Sequence, residues 1–139
     1  MTNEKIVSVD STRFKLDSDD ASKFKLIGFH CPDCSIYIFG PATNCQQCAS
    51  SVVEPTEFSG NGILYSYTLI TVPPSGWPGE SPYILVEGEL KEGPHVLAEM
   101  LEVEVTELYI NMPIEITYNI DESQKTATAV YKWKPVIQP

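Results

Sequence analysis

All four cysteines of this 139-residue chain fall in one stretch, CPDCSIYIFGPATNCQQC, as Cys31, Cys34, Cys45 and Cys48. Their spacing is C-x2-C, ten residues, C-x2-C, so each pair can form a tight turn that presents two thiolates to one tetrahedral ion. A secreted disulfide scaffold spreads its bridges to staple distant loops; these cysteines sit within eighteen residues. The pattern therefore predicts a rubredoxin-like zinc ribbon with one zinc per chain, held by Cys31, Cys34, Cys45 and Cys48, and with iron as the alternative metal. Four thiolates fill a tetrahedral shell and leave no position for water or substrate, which makes such a metal structural. Its binding free energy, on the order of 10 kcal/mol in small zinc peptides, becomes folding free energy for a module too small to own a core. Between the pairs, Ile36, Tyr37, Ile38 and Phe39 favour a strand and Gly40-Pro41 a turn, so residues 35–44 read as a short exposed hairpin able to reach a partner. Ser35 and Ala49 stand where glycine often follows the second cysteine of a knuckle. His30, beside Cys31, reads as a ring packed against the knuckle.

The rest of the chain must supply the core, and 42% apolar residues suffice for one of ordinary size. No apolar run approaches the roughly 20 residues that span a bilayer, nor is there one of signal-peptide length at the start; the expectation is a soluble, cytoplasmic protein without a membrane. Residues 1–23 are polar, with Asp17-Ser18-Asp19-Asp20 as a helix start or loop; residues 24–53 form the ribbon and residues 54–139 the second domain. In that domain hydrophobicity alternates with period 2. Strands are expected over 64–72, 84–91, 95–103, 114–120 and 126–133. Gly88 within the second suggests a bulge or bend that lets a short sheet close, and residues 105–110 have room for one helical turn. The fold class is thus mostly β, a zinc ribbon followed by a five-stranded OB-fold barrel, with an open five-stranded sheet as the alternative.

Nineteen acidic residues against nine basic ones give a net charge of −10, which repels polyphosphate backbones. A nucleic-acid-binding ribbon and OB protein is accordingly the second reading. Tyr65, Tyr67, Tyr131 and Trp133 could stack on bases, but Lys132 and Lys134 lie on the opposite strand face. A nucleophilic triad would have only His30 and His95 to draw a base from, and no Walker loop, H-E-x-x-H motif or dinucleotide fingerprint is present. The chain does not read as an enzyme. The loop Pro73-Pro74-Ser75-Gly76-Trp77-Pro78-Gly79-Glu80-Ser81-Pro82 carries Trp77 outward from the first to the second barrel strand, where it either contacts a ligand or partner or folds back as a cap.

The order of parts, the ribbon followed by SGNGILYSYTLI, PYILVEGELKEGPHVLAEM and NMPIEITY, resembles the acyl-CoA-associated OB family with an N-terminal rubredoxin-like zinc ribbon, formerly a family of unknown function. The likeness runs from about residue 24 to 135. It implies that the four cysteines are zinc ligands and that the chain is a non-catalytic accessory protein in acyl-CoA metabolism. Such a protein would dock on a thiolase-superfamily enzyme, such as acetyl-CoA acetyltransferase with hydroxymethylglutaryl-CoA synthase, or on an aldolase or hydratase, and help to hold the CoA moiety. Lys132, Trp133 and Lys134 offer cations for its phosphates and a flat surface for its adenine. An acyl-CoA thioesterase-like enzyme is a third reading, without an evident base or nucleophile. Two positions depart from the family pattern: Gly40-Pro41-Ala42 replaces a Pro-Pro-Arg, and Asn111 stands where glycine commonly precedes the fourth barrel strand.

Overall fold

A computed structural model describes residues 6–17, 23–77, 79–122 and 126–136. Residues 18–20 of the acidic run, read as a helix start or loop, lie outside the described residues. Among the described residues, ten strands and one short 3-10 turn make up the regular structure: β1 (Val7–Ser8), β2 (Phe14–Leu16), β3 (Phe24–His30), β4 (Tyr37–Phe39), β5 (Glu54–Glu57), β6 (Asn61–Ile70), β7 (Tyr83–Leu90), β8 (His95–Met100), β9 (Pro113–Asp121) and β10 (Thr128–Pro135), with the turn at Val105–Glu107 between β8 and β9. No helix among the described residues is long and apolar enough to cross a membrane.

Strands β6 to β10 close into the barrel. Antiparallel ladders join β6 to β7, β7 to β8, β9 to β10 and β6 to β9, and a parallel contact between Trp133 and Met100 joins β10 to β8. The five expected strands are all present, and the one-turn insert falls where residues 105–110 left room for it. Alternation in β7 is complete: Ile84, Val86, Gly88 and Leu90 point inward, and the intervening residues are half-buried on the outer face. Trp133 fills the barrel centre with no exposed surface, and its Nε1 donates to the Val96 carbonyl at 3.1 Å. Gly88 makes that possible, since a Cβ there would lie 2.4 Å from Trp133 Cζ2. The expected irregularity lies across the ladder from it: the register slips on β6 between Leu64, the partner of Gly88, and Ser66. Gly88 is therefore the space for a ring, and the extra residue is Tyr65.

The ribbon sheet is built on β3, which pairs with β2 at Phe14–Leu16, with β4 at Tyr37–Phe39 and with β5 at Glu54–Glu57. These pairings run across the limits expected from sequence. Residues 54–57 pair in the ribbon sheet, and the first segment contributes β2 to the ribbon and β1, parallel to β10, to the barrel. The two sheets share one core. Phe14, fully buried, meets the rings of Phe24, Tyr118 and Tyr131 at centroid distances of 5.8, 5.8 and 5.7 Å, and Phe39 reaches Tyr131 at 6.1 Å. The expectation of an exposed hairpin over 35–44 is corrected here: Ile38 is buried, and Tyr37 and Phe39 pack on the core, because Tyr37 meets the ring of Phe58 and Phe39 that of Tyr131 in the barrel wall. Pro41, Thr43 and Asn44 remain exposed.

Candidate functional site

The two cysteine pairs sit on matching turns. Ser35 N–H donates to the Cys31 carbonyl at 2.7 Å and Ala49 N–H to that of Cys45 at 2.9 Å. Each turn ends in the left-handed region, with φ of 69° at Ser35 and 63° at Ala49. That is why glycine suits these positions; for residues with a Cβ the conformation costs on the order of 1–2 kcal/mol. Four sulfurs converge within 4.8 Å of one another, with Cys31–Cys48 at 3.6 Å and Cys34–Cys45 at 3.5 Å. A tetrahedral ion with metal–sulfur bonds of about 2.3 Å needs sulfurs roughly 3.8 Å apart, so the set fits such an ion. His30 is not in the set; its ring packs on Tyr37 at 4.6 Å.

The charge balance points the same way. The N–H groups of Cys48 and Gln47 converge on Cys45 Sγ and, against the effect of burial, hold it down to about 6. At Cys48 the Ser50 N–H pulls in the same direction, but burial and the three neighbouring sulfurs outweigh it and push the thiol up to about 12. Sulfurs this close cannot all ionise unless a cation sits among them.

The other residues singled out from sequence separate. Trp77 folds back: its ring stacks on Tyr83 at 4.1 Å and 16°, Nε1 donates to the Glu80 carbonyl at 3.0 Å, and Lys132 Nζ lies 5.2 Å from the ring centroid. Lys132 is also paired with Glu99 at 2.8 Å, and Lys134 with Glu115 at 3.5 Å. The expectation that Trp133 offers a flat surface between two cations is corrected, because period 2 sends its indole into the core while Lys132 and Lys134 point outward.

Between ribbon and barrel opens a cleft of about 920 Å³, walled by residues 15–17, 23–26, 57–61 and 115–117 and by Lys134. Four of the chain's nine cations, Lys15, Lys23, Lys25 and Lys134, line it, together with Phe24, Phe58 and three carboxylates, Asp17, Glu57 and Glu115. Lys15 and Lys25 are direct cross-strand partners, a like-charge pairing that weakens a sheet; Glu57 lies 3.5 Å from Lys15. Sequence reasoning missed this cluster because three of these lysines flank apolar strand residues as ordinary solvated positions do. The alternation Phe14-Lys15-Leu16 and Lys23-Phe24-Lys25 is the signal, and it becomes legible once the two runs are paired. Arg13, the chain's single arginine, lies against the ribbon turn, where a Cβ on Gly40 would come within 2.9 Å of its Nε, and it is held by Asp10.

A four-cysteine ribbon fused through aromatic rings to a closed five-stranded OB barrel defines the class. Residues 55–119 match the family model described as the ChsH2 C-terminal OB-fold domain. The chain is 34% identical to a DUF35 domain-containing scaffold protein of Pyrococcus furiosus over 84% of its length and 87% of that protein's, and 27% identical to one of Methanocaldococcus jannaschii over 82% and 84%. It belongs to the DUF35 family. A protein of Thermomonospora curvata described as a probable enoyl-CoA hydratase alpha subunit is 27% identical over 70% of this chain, which corresponds to 30% of that longer protein. The fold matches a chain of the solved structure described as Ltp2-ChsH2(DUF35) aldolase, with a TM-score of 0.66, 24% identity, and coverage of 81% of this chain and 86% of that one.

Proposed function

We propose that this protein is a non-catalytic scaffold that docks on a thiolase-superfamily enzyme and helps to hold the CoA moiety of its substrate, with a structural zinc in the ribbon. The observation that carries the reading is the resemblance, over more than four-fifths of the chain, to proteins described as DUF35 scaffold proteins. The hydratase-subunit description of a longer relative supports acyl-CoA chemistry in the partner. For CoA, the lysine-lined cleft is the candidate site. Its volume suits one small molecule rather than a nucleic-acid strand, and phosphates would relieve the opposed Lys15 and Lys25. Catalysis by the chain itself is disfavoured: both ring nitrogens of His95 face carboxylates, and the Ser66 hydroxyl donates to one of them, Glu87, not to the ring.

Calorimetric titration of acetyl-CoA into the chain, alone and with a thiolase-superfamily enzyme from the same source, tests the reading. Binding that weakens about tenfold or more, ~1.4 kcal/mol, in Lys23→Glu/Lys25→Glu is expected. No binding in either arm, or hydrolysis of acyl-CoA by the chain alone, overturns it. For the metal, elemental analysis should find one zinc per chain; visible absorbance would instead indicate iron, and no stoichiometric metal would refute a metal centre.

A further inference from the structure

The barrel is closed at only part of β6. Pairing with β9 covers Asn61–Ile63 and ends with the hydrogen bonds that Leu64 exchanges with Met112 and Asn111. Past the irregularity at Tyr65, residues 66–70 pair with β7 on one side only among the described residues. An unpaired strand edge is a template for another strand, and proteins blunt it with lysine, proline or inward charge. This edge carries none of these. No charged residue occurs between Glu57 and Glu80, the longest such gap in the chain. Large apolar side chains are exposed along it: Tyr67 at 40%, Leu69 at 42%, Val72 at 83%, and Tyr109 and Ile110, beside the Leu64 end, at 58% and 53%.

We infer that β6 pairs antiparallel with β6 of a second copy of this chain, across a two-fold axis at Thr68. The sequence is self-complementary in that register. Tyr67 faces Leu69 of the second copy and Leu69 faces its Tyr67, an aromatic–aliphatic cross-strand pair made twice. Ser66 faces Ile70, where the ladder ends because Asn111 and Met112 already hold Leu64, and Val72, just past the strand, packs toward Tyr109 and Ile110 of the other copy. Charge selects this face for self-association. Two copies at −10 each repel over most approaches, and this edge brings together strands that carry no charge. These five residues supply the area: with about 150–250 Å² per large side chain, they expose on the order of 550 Å² per copy, which the newly paired strand backbone extends toward the roughly 800 Å² per partner of a stable interface. The pairing does not depend on which enzyme the chain serves.

Sedimentation velocity of the intact, metal-loaded chain, from low to high micromolar, tests this. The expected result is a species of twice 15.5 kDa. Thr68→Lys and Thr68→Glu, each at an exposed position, should each abolish it with unchanged melting, because like charges then face each other on the axis. An equimolar mixture of the two should restore the dimer. A wild-type chain that stays monomeric, a dimer that persists in either variant, or a mass that climbs without limit, as head-to-tail pairing would give, overturns the proposal. Should either variant fail to fold, failure of the other to dissociate remains decisive.

Discussion

Barrel and ribbon are held together by different physics. The barrel buries Leu64, Val86, Leu90, Val96, Ile114 and Trp133 almost completely inside its own hydrogen-bonded wall. The ribbon has no such interior among the described residues. Its buried side chains are two cysteines, Ile38, and the faces of Phe14 and Leu26 that it lends to the common core. A periodic apolar pattern can specify the first region unaided. The second has four converging thiols at one end, where the proposed metal would sit, and the barrel wall at the other, so each end can be perturbed separately.

Stripping the metal is the largest perturbation. Release of an ion whose binding is worth on the order of 10 kcal/mol removes most of what folds the knuckles. After chelation, amides of residues 31–50 should lose hydrogen-exchange protection while those of β7, β9 and β10 keep theirs. Simultaneous loss in both regions would break the contrast between them. Next comes Trp133→Ala, which empties the barrel centre and should cost about 3–5 kcal/mol with the metal stoichiometry unchanged. Phe14→Ala carries a similar gross cost, but it falls on the junction. Since that ring touches Phe24 of β3 as well as Tyr118 and Tyr131 of the barrel, the variant should split one thermal transition into two in calorimetry. A single, merely lowered transition would mean the two regions unfold as one despite their different sources of stability.

The same contrast explains what the sequence made legible. Barrel strands were readable because alternation is a local property; Ile84, Val86 and Leu90 announce their face within one strand. The convergence of Cys31, Cys34, Cys45 and Cys48 was readable because paired C-x2-C spacing puts two thiols on each of two tight turns. Phe14, by contrast, is one apolar residue in a polar segment, and nothing local states that it will lie against β3 and three rings. The lysine cleft was hidden for the same reason, since Lys15 and Lys25 oppose each other only through long-range pairing. Asn111 shows a middle case. Its φ of 72° demands a residue that tolerates the left-handed region, which asparagine does better than most, so an apparent departure from glycine preserves the backbone.

The smallest expected effect sharpens the comparison through its sign. On the barrel's outer face His95 places Nδ1 2.6 Å from Glu87 and Nε2 3.3 Å from Glu89, with the Tyr65 ring tilted against it at 4.5 Å. The hydrogen bond to Glu87, and then that to Glu89, raise the imidazole pKa above 6.5 against the opposing effect of partial burial. A raised folded-state pKa stabilises fully below the unfolded value near 6.5, and that contribution disappears as pH rises through the folded value. At this exposure it is worth less than about 1 kcal/mol, a fall of a few degrees in Tm at most. Metal-held thiolates behave oppositely, binding more weakly as pH drops. Barrel melting should therefore decline from pH 6.5 upward while ribbon protection holds or improves, and His95→Gln should flatten the barrel's decline alone. If the variant leaves that slope unchanged, the two carboxylates do not hold the imidazolium, and the pH response must come from elsewhere in the molecule.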